Sequence, residues 1–240
     1  MTIVLVQSAS KMVLGVNNTT LAFASNVTAG NWLGVTQSSW RSGGNIIQTP
    51  TDTLGNVYSA MTAQNGSSAN TALRSYFVED TIGGANTVTF DMDGAGTGEL
   101  SVTISEFSGV KTSASLDTSN LATGNSTAVS TGNVTPSVAE CLLYAGAHCS
   151  LNNTTFTEEA GWTLLEEQQS ADQIGVATQW KLGTTSAEDA DWTLSQATAW
   201  AAHVAAFLPA VLVPMTWNVP PARAPRRPYS FAPSGMRPPQ

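Results

Sequence analysis

The segment Glu99-Leu-Ser-Val-Thr-Ile-Ser-Glu-Phe107 decides the fold class, because apolar and small polar residues alternate along it. Successive side chains of an extended chain point to opposite faces, so Leu100, Val102 and Ile104 share one face and the residues between them share the other. A period of two residues is typical of a β-strand. The last two residues of the segment break the alternation, which indicates that the strand ends there.

Comparable segments recur up to residue 207, and turn-forming glycine and asparagine residues separate them. Together they amount to about ten strands without a predicted helix, which indicates two packed antiparallel sheets. The number and length of the strands favour an all-β jelly-roll sandwich over an immunoglobulin-type one. Besides the segment above, the predicted strands are residues 19–25, 32–40, 56–63, 71–79, 86–92, 138–149, 173–182, 191–195 and 197–207.

Two regions need a choice between structures. Residues 197–207 are rich in alanine and could be helical by propensity, but their position after a strand hairpin favours a final buried strand. Residues 108–136 have few large apolar side chains. We expect this second region to be a long surface connection that contains one short strand.

The composition changes sharply near the end of the chain. Residues 209–240 hold nine of the eleven prolines and four arginines but no acidic residue, whereas residues 1–208 hold all seventeen acidic residues and five basic ones. The body therefore has a net charge of −12 and the tail +4, which together give the −8 of the whole chain. Proline removes backbone donors and arginine remains solvated, so such a tail cannot build a core. We predict a sandwich domain at 1–208 and an extended C-terminal docking arm at 209–240.

Aromatic and arginine side chains dominate the energetics of protein interfaces, and this arm contains both types. Six of the seven tryptophans lie in or near strand segments, where core packing is the expected role and sugar stacking the alternative. The seventh, Trp217, lies among the prolines of the arm and is a candidate anchor for a neighbour's pocket. The candidate partner-binding residues of the arm are Trp217, Arg223, Arg226, Arg227, Tyr229, Phe231 and Arg237.

A series of short motifs runs through the body. In order, they are residues 30–33 with Trp40, 52–58, 76–88, 104–110 with 116–117, 161–164 and 199–200. This order resembles the jelly-roll domains common in phage virion proteins and bacterial surface proteins. The resemblance implies a β-sandwich used for virion decoration or adhesion, with no catalytic residues to carry over. The proline-arginine arm departs from that pattern.

Catalysis has little support in the sequence, and we predict no enzyme activity and no cofactor. The only histidines are His148 and His203, and both lie in apolar segments, which favours core or interface positions over a role as a base. Three adjacent acidic pairs could supply glycosidase carboxylates, but such pairs usually form a solvated face. These pairs are Glu158-Glu159, Glu166-Glu167 and Glu188-Asp189.

Metal binding is also weakly indicated. Asp91, Asp93 and Glu99 surround a glycine-rich stretch that could hold calcium, although a plain hairpin turn explains it better. Cys141 and Cys149 would lie roughly 27 Å apart on one strand face, too far for a disulfide, so we expect free buried thiols. A metal site at Cys149 and the preceding histidine would lack a second cysteine or histidine cluster.

These observations lead to a functional expectation. We expect a non-enzymatic virion structural protein, a capsid decoration or accessory protein, which its arm anchors to a capsid or other virion scaffold. The absence of an export signal suggests synthesis in a host cytoplasm. We expect a homo-oligomer that binds neither nucleic acid nor membrane. The alternative is a carbohydrate-binding or adhesive module on a virion or cell surface, with a glycan as partner.

Overall fold

The computed structural model describes residues 2–43, 47–94 and 96–210. Within these ranges the regular structure is entirely β, which confirms the predicted all-β antiparallel sandwich. No helix long enough and apolar enough to span a membrane occurs in this described part of the chain. The strands are β1 (Val4–Val16), β2 (Asn18–Ala22), β3 (Trp32–Trp40), β4 (Thr51–Asp52), β5 (Ser59–Ala60), β6 (Thr71–Val78), β7 (Thr87–Asp91), β8 (Gly98–Ser108), β9 (Leu116–Ser130), β10 (Cys141–Cys149), β11 (Phe156–Glu158), β12 (Thr163–Gln169), β13 (Gly175–Gly183) and β14 (Asp191–Phe207).

The strands form two large sheets and one small one, and the architecture is compatible with a jelly-roll-like fold. The first sheet has the order β1-β8-β3-β6-β5. The second has the order β11-β14-β10-β13-β12, and β9 pairs with the other edge of β14. The small sheet, β2-β7-β4, covers part of the first half of the chain.

Each large sheet is built from one half of the chain, and the two halves use the same order of strands. In each half the first long strand, β1 or β9, lies at an edge beside the last strand of that half, β8 or β14. The order then continues through β3, β6 and β5 in the first half and through β10, β13 and β12 in the second. The chain crosses from one half to the other through residues 109–115.

The buried apolar residues form three clusters that follow this division. One cluster contains only first-half residues, including Val35, Phe90 and Ile104, and another contains only second-half residues, including Leu143 and Trp192. A third cluster combines residues of both halves where the two large sheets face each other. Each half therefore has an apolar core of its own, in addition to the contact that joins the halves.

Strand β8 shows how the alternating sequence is used. Val102 and Ile104 pack in the first-half cluster, as the period of two predicts. The intervening Ser101, Thr103 and Ser105 are buried as well, because this face of the first sheet is covered by the second sheet. The small polar face of an alternating strand is therefore an interior surface in this protein.

The expectation for residues 108–136 is wrong. This region contains β9, a strand of 15 residues that pairs with β14 along most of its length. Its outward face carries exposed Ser, Thr and Asn side chains, and its inward face holds small residues such as Ala122 and Gly124, so the strand gives little apolar signal. Strand β1 was also not predicted, whereas residues 191–195 and 197–207 are strand as expected and belong to the single strand β14.

The sandwich closes where the described residues end. Pro209 forms a bridge with Val110, and the Ala210 amide donates a hydrogen bond to the Gly109 carbonyl at 2.8 Å. The Lys111 amide donates to the carbonyl of Leu208 at 2.9 Å. The end of the described chain is thus fastened to the connection between the two halves.

Candidate functional site

The facing sides of the two large sheets form a contact that we call the seam. Its residues in the first sheet are Trp32, Thr36, Ser38, Ser75, Phe77 and Phe107, and those in the second are Tyr144, His148, Trp180, His203 and Phe207. The chemistry of the seam changes along the strands, from aromatic at one end to hydrogen-bonded and polar at the other.

Trp32 is the centre of the aromatic end. Its ring lies 4.6 Å from that of Phe207 and 5.8 Å from those of Phe107 and Tyr144, measured between centroids, all at steep angles. Phe77 stacks on the same tryptophan at 6.3 Å. Edge-to-face pairs of this kind add to the stabilisation that burial already provides. The aromatic end is thus the apolar part of the contact between the halves.

Hydrogen bonds between the sheets define the polar end. The hydroxyl groups of Thr36 and Tyr144 lie 3.0 Å apart, and Ser38 Oγ lies 3.0 Å from His148 Nδ1. Ser75 Oγ lies 2.6 Å from His203 Nε2. Small hydroxyl residues that alternate with apolar ones on β3 and β6 therefore serve as hydrogen-bonding partners across the seam.

Both histidines are fully buried, which confirms the expectation that they occupy core or interface positions. Burial lowers the pKa of His148 to about 3 and that of His203 to about 4, from an ordinary value of 6.5. The rings are therefore neutral at physiological pH. Their nitrogens contact serines of the first half instead of facing solvent, so neither ring is placed to act as a base on a substrate in solution.

A separate cleft lies on the second half, where β9, β11 and the start of β14 meet. It has a volume of about 250 Å³, and its walls are formed by Ala128, Val129, Thr157, Glu158, Glu159, Asp191, Trp192 and Thr193. We call it the acidic cleft because Glu159 and Asp191 line it, and their carboxylate oxygens lie within 4.8 Å of each other and of the carboxylate of the adjacent Asp189. The Glu159 amide donates to the Asp191 carbonyl at 3.3 Å and so holds the turn after β11 against β14.

The acidic cleft has capacity for a positively charged group. The Oδ1 atom of Asp191 is buried and has no hydrogen-bond partner among the described residues. Clustered carboxylate oxygens suit either a hard cation or a guanidinium group.

The adjacent Glu188 is used differently, because its carboxylate forms an ion pair with Lys181 at 2.8 Å. Burial acts to raise the pKa of Glu188, but hydrogen bonds from Lys181 and Thr184 hold it below its ordinary value.

Sequence reasoning treated Glu158-Glu159 and Glu188-Asp189 as solvated pairs and did not predict the cleft. The cluster takes Glu159 from the turn after β11, Asp191 from the first position of β14 and Asp189 from the segment just before that strand. Within the sequence, only the close spacing of Asp189 and Asp191 indicated that carboxylates would cluster here. The pairing of β11 with β14, which brings the two segments together, is not visible in either segment alone.

The structure places the calcium candidates Asp91, Asp93 and Glu99 among different partners. Asp93 forms an ion pair with Arg41 at 3.3 Å, and Asp91 is exposed on β7 beside Asn17. Glu99 is buried, and its carboxyl group lies against the turn at residues 170–174 of the second half. Burial raises the pKa of Glu99, which favours the protonated form and works against calcium binding.

The remaining candidates have simpler outcomes. Cys141 and Cys149 are free and buried, as expected, and burial raises the pKa of Cys141 to about 11. Trp32, Trp162, Trp192 and Trp200 are buried, as expected for core residues, and Trp40 and Trp180 are partly buried. The arm residues Trp217, Arg223, Arg226, Arg227, Tyr229, Phe231 and Arg237 lie outside the described residues.

Comparisons with known proteins do not assign the chain to a family. No protein-family model matches the chain, and no curated protein or solved structure is significantly similar to it.

Proposed function

We propose that this chain is a non-enzymatic structural protein of a virion, a capsid decoration or accessory protein, which its C-terminal arm holds to neighbouring subunits. Such a protein needs a self-contained body and a separate segment that can reach another subunit. The described sandwich is fastened at Ala210, and thirty further residues follow it. At roughly 3.1 Å per residue, an extended segment of that length spans about 90 Å.

The acidic cleft is the observation that carries the proposal. The arm has four arginines and no acidic residue, whereas the body has a large excess of carboxylates. Among the described residues, ion pairs use two of those carboxylates, Asp93 and Glu188, and leave the cleft cluster without a basic partner. Arginine binds carboxylates through two parallel hydrogen bonds, so the cleft of one copy is a suitable receptor for the arm of the next.

The position of the histidines supports a non-enzymatic role. His148 and His203 are the only histidines of the chain, and both act as hydrogen-bonding groups inside the seam. The seam serines complete these contacts and are buried with them. The chain thus uses both of its histidines to join its two halves.

Sedimentation velocity of the full chain and of residues 1–210 tests the proposal. We expect the full chain to form oligomers and the truncated chain to sediment as a monomer with the same melting temperature. In the full chain, Glu158→Lys with Glu159→Lys should also prevent association, because both exposed side chains line the cleft. Asp172→Lys, at an exposed turn outside the cleft, is the control for a charge reversal elsewhere on the body. Unchanged association of the truncated chain would exclude the arm as the anchor.

The acidic cleft also favours a second candidate, a carbohydrate-binding or adhesive module. Three convergent carboxylates can hold a calcium ion, and a bound calcium can coordinate sugar hydroxyl groups. A glycan array probed with the full chain, with calcium and then with a chelator, separates the candidates. Calcium-dependent glycan binding that Glu159→Gln abolishes would support the module, whereas arm-dependent association without glycan binding supports the structural protein.

A further inference from the structure

The seam divides the protein into two parts that each retain a core. The first-half cluster and the second-half cluster share no residue, and the cluster that combines both halves lies at the aromatic end of the seam. The connection at residues 109–115 is at that same end, because Val110 belongs to the combined cluster. The polar end of the seam has neither a covalent connection nor an aromatic cluster.

His148 and His203 supply the fully buried ring contacts of this polar end, and further hydrogen bonds between the halves join Ser67 to Ser150 and Ser101 to Gln168. His148 contacts two residues of the first half, Ser38 Oγ at 3.0 Å through Nδ1 and Ser67 Oγ at 2.8 Å through Nε2. His203 contacts Ser75 through Nε2, and its Nδ1 is buried without a partner among the described residues. A neutral imidazole can satisfy such hydroxyl partners, whereas an imidazolium in the same place would be a buried charge without a counter-ion.

The charged groups on the surrounding strands point to other partners. On β6, Arg74 lies over the ring of Tyr76, 5.1 Å from its centroid. On β12, Glu166 accepts hydrogen bonds from Ser8 and Ser10 at the edge of the sandwich. On β8, Glu99 lies against the 170–174 turn.

The other strands next to the histidines place their ionisable groups away from them too. Strand β3 has no charged residue. On β10, Tyr144 is bonded to Thr36. On β13, Lys181 pairs with Glu188, and on β9 Asp117 accepts a hydrogen bond from the Ser137 amide.

We propose that the seam is an acid-sensitive joint, in which protonation of His148 and His203 separates the two sheets at their polar end while each half keeps its own core. The aromatic end and the 109–115 connection act as the hinge. The joint is independent of the arm, so it does not rest on the proposed function.

The direction of the pH effect follows from proton linkage. In the closed seam both histidines have pKa values below the ordinary 6.5, at about 3 and about 4. The closed form therefore binds fewer protons, and it loses stability relative to the open form as the pH falls below 6.5. For two such groups, the open-to-closed ratio rises about 1,000-fold between pH 8 and pH 5.

Proton NMR of the full chain tests this directly, because the chain has two histidines to observe. We expect neither imidazole to titrate alone; both should shift together in one cooperative transition between pH 6 and 4, while far-UV circular dichroism still reports β structure. Cys141 and Cys149 belong to the second-half core, so 4,4′-dithiodipyridine, which reacts with thiols in acid, should leave them unmodified. Independent titration near pH 6.5, no transition above pH 4, or thiol reactivity in the same transition would each overturn the proposal.

Substitutions provide the second test. His148→Gln with His203→Gln keeps hydrogen-bonding groups in the seam but removes the titration, so the acid transition should move down by at least one pH unit. Ser38→Ala is the matched control, since it removes a seam contact and leaves both histidines able to titrate. Its transition should stay at the original pH or rise. An unchanged transition in the double variant would overturn the proposal, and the wild-type titration decides the matter if that variant does not fold.

Discussion

Replacing Asp52 with alanine tests how the first half is held together. The carboxylate accepts hydrogen bonds from the Leu54 and Asn56 amides at 3.1 and 3.0 Å and from Asn56 Nδ2 at 2.7 Å. It also accepts from Tyr58 Oη and Asn86 Nδ2, both at 2.9 Å. One side chain thus organises the turn after β4 and ties it to β7.

The expected loss can be worked out from these partners. Tyr58 and Asn86 are 7% and 3% exposed, so Asp52→Ala leaves two buried donors without an acceptor, while the turn amides can find water. Each orphaned buried donor costs on the order of 1–3 kcal/mol. We therefore expect a loss of about 3 kcal/mol in the free energy of unfolding, and about half of that for Asp52→Asn, which keeps one oxygen.

Urea denaturation at pH 7 followed by circular dichroism measures the loss, with Ser186→Ala at an exposed bend as the control. The contribution of Asp52 to the free energy of unfolding also depends on pH. Burial acts to raise the pKa of Asp52, but hydrogen bonds from Asn56, Asn86 and Tyr58 bring it below the ordinary 3.8. The stabilisation is present above pH 3.8 and is lost as the pH falls through the lowered pKa. A loss below about 0.5 kcal/mol, within the range of ordinary surface substitutions, would refute this account of the turn.

Three further predictions concern packing and thiols. Trp32→Ala should lower the free energy of unfolding, measured by urea denaturation, by about 4 kcal/mol, because it empties the centre of the aromatic end. A decrease under about 1 kcal/mol would contradict that packing. Gly124→Ala should lower the free energy of unfolding by about 2 kcal/mol and change the fluorescence emission of Trp200, because a Cβ at residue 124 would lie 2.3 Å from Cζ2 of that ring. Unchanged stability and emission would argue against this contact. The melting temperature should be the same with and without reductant, because Cys141 and Cys149 are free; a crosslink between them in mass spectrometry would contradict this.

Local sequence patterns predicted those strands whose own side chains show a clear apolar or aromatic pattern. The predicted strand at residues 32–40 matches β3, because tryptophans mark both of its ends and the strand is buried. Strand β9 was missed because it is stabilised mainly by backbone pairing with β14, and its exposed polar side chains resemble those of a loop. The inward positions of β9 include the small residues Ala122, Gly124 and Ser126, so the strand has no run of large apolar side chains to detect.

The candidate site was predictable to a smaller extent. The apolar surroundings of His148 and His203 correctly indicated buried positions, but their serine partners come from the other half of the chain. The acidic cleft depends on the same kind of long-range pairing, since β11 must reach β14 before Glu159 can lie beside Asp191. A single sequence predicts strands from neighbouring residues and does not determine which strands become partners.

Binding of a synthetic peptide of residues 211–240 to the chain 1–210, measured by fluorescence anisotropy, tests the central claim that the arm docks on the acidic body. We predict saturable binding that weakens as salt is added, because arginine–carboxylate contacts are screened. Glu158→Lys with Glu159→Lys in the body should abolish this binding, whereas Asp172→Lys should leave it unchanged. Absence of binding at low salt, or binding that survives the charge reversal in the cleft, would contradict the proposed role of the arm and its receptor.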